Sequence, residues 1–348
     1  MQEPREPSEF FALCAGLGFP KVEPVASLRS IAQMFGSSKS RCGIYLLVFS
    51  GDRVYVGQAV EVVRRFSQHR KVYDDIVGFS FMPTRHERLD ETEKKLIQQA
   101  ERLGLLVLNT VHASHVVGDT DLDAVFSRDA QQAWLAAPAA YNRLECALSQ
   151  TLPATQYLRF EKRFHQLQQL PEHTAVLDLL SAYVGSAIPS PRLTEYSFWA
   201  VSCLPGTSSH QWPRFACVSV GVMEVFVLGY LRDLPRQSLD MWGFVNVASD
   251  CLFAHFSDQE AFLAAFPEVE ITPCSYRDAG QYQVRLETLG AQSLARLLQH
   301  PAVQMAAATL ALRVMRKRAT IYGKYHCKQL ADAIFERIAV PSICPICV

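Results

Sequence analysis

The sequence has no uninterrupted apolar run long enough to cross a bilayer. Its most hydrophobic stretch, "ACVSVGVMEVFVLGYL", is broken by Glu224 and falls short of the roughly 20 residues a spanning helix needs. It has no excess charge of either sign, with 34 Lys and Arg against 34 Asp and Glu, so attraction to a polyanion has to come from local patches. No fixed-period repeat runs along it, which argues against a solenoid. It also lacks the close cysteine spacing of an exported disulfide scaffold: its 10 cysteines are scattered, and are expected to be reduced and mostly buried. The opening, "MQEPREPSEFFALC", has neither the basic start nor the apolar core of a secretory signal. Together these absences set the expectation of a soluble, cytoplasmic protein with no membrane partner. A chain of 348 residues has room for two or three compact units.

What is present falls into segments. Residues 1–40 read as an irregular or short-helical lead, with Pro20, Pro24 and the Gly-Ser-Ser run at 36–38 as breakers. From 41 to 112 the pattern predicts a compact β-β-α-β-α unit. "GIYLLVF" and "RVYVG" are β-branched and aromatic strands joined by "SGD". "VEVVRRFSQHR" carries Val62, Val63 and Phe66 at helical spacing, "DDIVGFSFMP" is a third strand, and "ERLDETEKKLIQQAERLG" a second helix stopped by Gly104. Residues 113–188 read as a helical connector. The Gly, Ser and Pro of "GSAIPSPR" at 185–192 predict the main internal boundary. A larger α+β region over 189–340 and a tail over 341–348 complete the chain.

The chemistry sits in the β-β-α-β-α stretch. In order it gives Gly43-Ile44-Tyr45, then Tyr55-Val56-Gly57, Arg65, His69, Glu93 and Asn109. Each alone has an ordinary reading: hairpin aromatics, a solvated basic face, an acidic helix start. Arg65 and His69, four apart, share one face if the helix forms. A guanidinium suits a phosphodiester that gains negative charge on its oxygens as water attacks. Glu93 supplies a hard oxygen donor of the kind magnesium takes one or two of.

The ordered set resembles the GIY-YIG nuclease superfamily over residues 42–110, with Val56 where isoleucine is usual. The resemblance implies a metal-dependent endonuclease that hydrolyses DNA phosphodiesters with one Mg2+ or Mn2+ held by Glu93. It implies that Tyr45, or failing that Tyr55, takes the proton of the attacking water, assisted by His69. Arg65 would bind the phosphate, and Gly43, Gly57 and Asn109 would be structural or site-lining. Substrate form stays open among duplex DNA, branched DNA and RNA.

Outside that stretch, Arg64 and the densest basic cluster, Arg313, Arg316, Lys317, Arg318, Lys324 and Lys328, are candidates for nucleic-acid contacts. Cys344 and Cys347 form a C-x-x-C near His326 and Cys327, but a second such pair is missing and zinc is not expected. Two other classes of function fit the same residues: a nucleic-acid-binding or scaffold protein without turnover, and a nuclease switched by a ligand of its carboxy-terminal region.

Overall fold

The structure, a computed structural model, describes residues 7–36, 40–146, 158–206, 212–231 and 241–339. Its architecture is mixed α+β with two sheets, and it divides into two compact units, Met1–Gly118 and Asp119–Val348.

In the first unit, α1 (Pro7–Gly16) and β1 (Glu23–Pro24) lead into β2 (Gly43–Phe49), β3 (Arg53–Ala59), α2 (Val62–Val72), β4 (Ile76–Pro83), α3 (Leu89–Arg102) and β5 (Leu106–Val107). The sheet order is β1-β4-β2-β3-β5. β2 is central and buried along its whole length, which is why its sequence reads as one apolar run. Its side chains still alternate: Ile44, Leu46 and Val48 pack with Leu89, Leu96 and Ile97 of α3, while Tyr45, Leu47 and Phe49 pack with Val62 and Phe66 of α2. α2 starts where the Glu61 carboxylate accepts from the Arg64 amide at 2.7 Å. It buries Val62, Phe66 and His69 along one stripe. The short helix α1 falls in the lead read as irregular or short-helical, whereas β1 in the lead and β5 at the end of the β-β-α-β-α unit, each only two residues long, were not expected.

In the second unit, α4 (Asp121–Val125), α5 (Arg128–Ala136), α6 (Pro138–Cys146), α7 (Glu161–Gln168), α8 (His173–Ala187) and α9 (Pro191–Thr194) precede the sheet. The strands are β6 (Trp199–Cys203), β7 (Arg214–Val220), β8 (Met223–Tyr230), β9 (Met241–Val247), β10 (Val269–Pro273) and β11 (Val284–Leu289). They form one antiparallel sheet ordered β10-β11-β9-β8-β7-β6. α10 (Ser249–Phe256) and α11 (Gln259–Ala265) sit between β9 and β10, and α12 (Ala291–Gln299), α13 (Pro301–Met315) and α14 (Lys328–Ala339) follow β11. One large core joins the sheet to α8, α12, α13 and α14.

The stretch at 185–192, expected as a boundary, lies within this unit, and residues 185–191 are buried. Its small residues serve packing. Gly185 faces Ile338, and the Asn142 carboxamide donates to the carbonyls of Val184, Gly185 and Ile188, closing the end of α8 from a neighbouring helix. Composition marks such residues as breakers but does not say whether the break is exposed. The tail at 341–348, with Cys344 and Cys347, lies outside the described residues, as do positions 37 and 38 of the Gly-Ser-Ser run. No helix among the described residues is long and apolar enough to cross a membrane.

Candidate active site

β2 and β3 run antiparallel with Tyr45 opposite Gly57. A Cβ on Gly57 would lie 2.4 Å from the Tyr45 ring and hydroxyl and 2.7 Å from the Tyr55 ring, so only glycine lets the two phenols lie across this point. Gly43 is equally constrained, since a Cβ there would meet the Met82 carbonyl oxygen at 2.2 Å. The Tyr45 and Tyr55 rings stack with centroids 6.1 Å apart, and the His69 ring of α2 lies 4.8 Å from Tyr55.

The polar ends of these rings meet. The Tyr45 hydroxyl is 2.8 Å from His69 Nε2, and Arg65 Nε donates to the same hydroxyl at 3.3 Å. Arg65 also lies close enough to Tyr55 to act on its ionisation. Its remaining side-chain partner is the neutral Gln68, at 3.2 Å, and among the described residues no carboxylate forms a salt bridge with it. The guanidinium is exposed, while Tyr45 and His69 are buried.

Burial, and then the neighbouring Tyr55, push the Tyr45 phenol well above its usual range; Arg65 opposes that shift without cancelling it. Burial raises Tyr55 in the same way, again against Arg65. For His69 both causes act together: burial and the Arg65 charge bring its pKa down to about 4. At neutral pH His69 is therefore an uncharged imidazole. Its Nε2 is free to accept the Tyr45 proton when Nδ1 carries the ring hydrogen.

Glu93 approaches from α3, on the other side of the sheet. Its carboxylate accepts from Gln58 Nε2 at 3.0 Å, and the same amide donates to Asp90 one turn earlier on α3. The two phenols and Arg65 feel the Glu93 charge, though none of them touches it. Burial raises its pKa, and Asp90 adds to the rise, while Gln58 and Arg65 pull it back. Asp90 and Glu93 thus share a bridging amide, and no capping side chain holds the start of α3. Asn109 is buried. Its carboxamide accepts from Val56 N at 3.0 Å and donates to Val56 O at 2.7 Å, continuing the ladder beyond β5 and fixing the strand that carries Tyr55 and Gly57.

The structure therefore gathers Tyr45, Tyr55, Arg65 and His69 by direct contact, with Glu93 within electrostatic reach. Gln58 is the residue that sequence reasoning missed. Its only signal was its place immediately after Gly57, facing α3 by strand alternation. Arg64 is exposed beside Arg65. Among the described residues no group of three or more His, Cys, Asp or Glu is placed to hold an ion. A partly buried carboxylate with a second one beside it fits a hydrated hard cation, which needs one or two protein oxygens.

In the second unit, most of the basic cluster is engaged within the fold. Arg313 forms a two-bonded pair with Asp250 of α10, both contacts 2.8 Å. Arg316 pairs with Asp123 of α4 at 2.6 Å and bonds Gln131 of α5 at 2.7 Å. Arg318 reaches the buried Asp278 at 3.5 Å. Lys328 is buried between Glu195 and Asp332. Lys324 lies over the Tyr325 ring. Apart from Asp332, four residues from Lys328, these carboxylates come from distant parts of the chain, so the pairs tie separate elements of the unit together, and the buried Lys328 is closed to a phosphate. Lys317, at the end of α13, has partners of its own within the fold. His326 and Cys327, the inner half of the drawn zinc site, are also engaged: His326 accepts from Val201 N and bonds Glu195, and Cys327 is buried.

Comparison of the chain with protein-family models, with curated proteins and with solved structures finds no match.

Proposed function

We propose that the chain is a metal-dependent endonuclease of the GIY-YIG kind, hydrolysing phosphodiester bonds in DNA at the site built by Tyr45, Tyr55, Arg65, His69 and Glu93. The observation that carries this reading is the state of Arg65. It is an exposed guanidinium whose hydrogen-bond partners are a phenol and an amide, with a second phenol close by, so its charge is not cancelled by a paired carboxylate and can meet an anion.

The neighbouring groups then have defined tasks. As water attacks the phosphorus, its proton passes to the Tyr45 oxygen while the Tyr45 proton passes to His69 Nε2; the phosphorus–oxygen bond to the leaving sugar breaks, and that sugar oxygen takes a proton from solvent. A phenol held far above neutral pKa is a poor base alone, and the neutral imidazole behind it provides the acceptor. The imidazolium so formed lies near Arg65, an unfavourable pairing that the charge of a bound phosphate would offset. Tyr55 donates to the phosphate or to Tyr45, and Arg65 binds the charge that develops on the phosphoryl oxygens. A Mg2+ or Mn2+ on Glu93 would supply Lewis-acid charge to the same oxygens. The second unit would provide substrate or partner recognition.

The test is incubation of the purified protein with supercoiled, linear, branched and single-stranded DNA, and with RNA, with and without Mg2+ or Mn2+. Metal-dependent strand cleavage that disappears in Glu93→Gln is the expected result. Absence of cleavage on every substrate, or cleavage equal in Glu93→Gln, would overturn the reading.

A further inference from the structure

We infer that Gln58 is a positioning residue for Glu93, holding the metal-binding carboxylate in place from the neighbouring strand through an amide that Asp90 anchors; this rests on the nuclease reading above. β3 alternates, so that Tyr55 and Gly57 face α2 while Val54, Val56 and Gln58 face α3. Gln58 therefore leaves the same strand as Tyr55 and reaches the opposite helix. Its Nε2 carries two hydrogens and meets two acceptors, Asp90 and Glu93, so the amide is fully used as a donor. Fixing one end on Asp90 leaves the other in a single place, and Glu93 loses rotamer freedom accordingly. The strand that orients a tyrosine of the site thus also orients its carboxylate. This couples the two sides of the sheet that the chemistry needs together.

Outer hydrogen bonds of this kind typically account for about 10- to 100-fold in metal affinity. Gln58→Leu, one bond shorter than glutamine, fills most of the same volume and removes both donors. It should weaken Mn2+ binding to the full chain, read by electron paramagnetic resonance, by about 10-fold. The metal concentration for half-maximal cleavage should rise by a similar factor, with the rate at saturating metal kept within about twofold. Asp90→Ala, on an exposed helix position, should shift the same quantity by about threefold and by nothing further when combined with Gln58→Leu, because it acts through the amide. In a Glu93→Gln background Gln58→Leu should have no further effect.

If the wild type cleaves and depends on Glu93 but Gln58→Leu leaves both metal titrations unchanged, the positioning role is wrong and the nuclease reading stands. Additive effects of Asp90→Ala and Gln58→Leu would also overturn it, since Asp90 would then be acting on its own. If the wild type neither binds Mn2+ nor cleaves, both readings fail together.

Discussion

The two units use arginine in opposite ways. In the second, Arg313, Arg316 and Arg318 each meet an aspartate from a different element, so their charge is consumed in holding α13 against α10, α4 and the turn at Asp278. In the first, Arg65 lies among Tyr45, Tyr55 and Gln68, all neutral. A paired arginine is a structural part, whereas an arginine given only neutral partners keeps its attraction for an anion. Sequence density of basic residues points to the second unit, but the partners of each guanidinium point to the first. All 4 tryptophans, Trp134, Trp199, Trp212 and Trp242, belong to the second unit, so their fluorescence follows its unfolding without reporting on the first.

The contrast can be broken at four places. Glu93→Ala should lower metal-dependent cleavage by a factor of at least about 1,000, with tryptophan fluorescence unfolding unchanged; retained turnover would remove Glu93 from the site. Asp123→Ala should do the reverse. It leaves the largely buried Arg316 without its carboxylate and should cost about 3 kcal/mol in a denaturant titration followed by tryptophan fluorescence. An unchanged midpoint would show that the basic cluster is not a fastening.

Arg65→Lys comes next, with an expected loss of roughly 100-fold in kcat/KM, because a point charge cannot reproduce the planar fork of donors. Lysine performing as well as arginine would mean that charge alone suffices. The smallest effect is one of pH. The folded pKa of His69 is depressed, from 6.5 to about 4, so the unfolded chain binds the extra proton first as pH falls. The stability that neutral His69 provides is complete above about pH 6.5 and is lost as pH falls toward about 4. Between about pH 7 and about pH 5.5 the loss is about 1 kcal/mol, to be read as faster hydrogen exchange in β2 and β3. His69→Phe should flatten that slope.

Much of the first unit was legible because its signals are local. "GIYLLVF" gave a strand, the Val62, Val63 and Phe66 spacing gave α2, and the tripeptides gave the order of the candidate residues. The short pairings were not legible, since β1 and β5 exist only because β4 and β3 offer an edge to them. Gln58 was invisible for a similar reason: a glutamine after a strand glycine is unremarkable until a carboxylate from α3 lies across from it. In the second unit the basic run at 313–318 was visible as charge, but its ion pairs were not, because the acids that pair with it are far away in sequence.

By itself, then, the sequence determined periodicity. It set which segments are strands and helices, and that Tyr45, Tyr55, Arg65, His69 and Glu93 fall on them at workable spacings. Those properties depend on side chains one to four residues apart, which the chain presents wherever it folds. Tertiary structure alone decided which charges are satisfied. Arg316 and Asp123 lie 193 residues apart, and Gln58 and Glu93 35 apart, so neither pairing leaves a local trace. The electrostatic state of a group is set by burial and by whatever lies within a few ångströms of it, and only the packed fold fixes those neighbours.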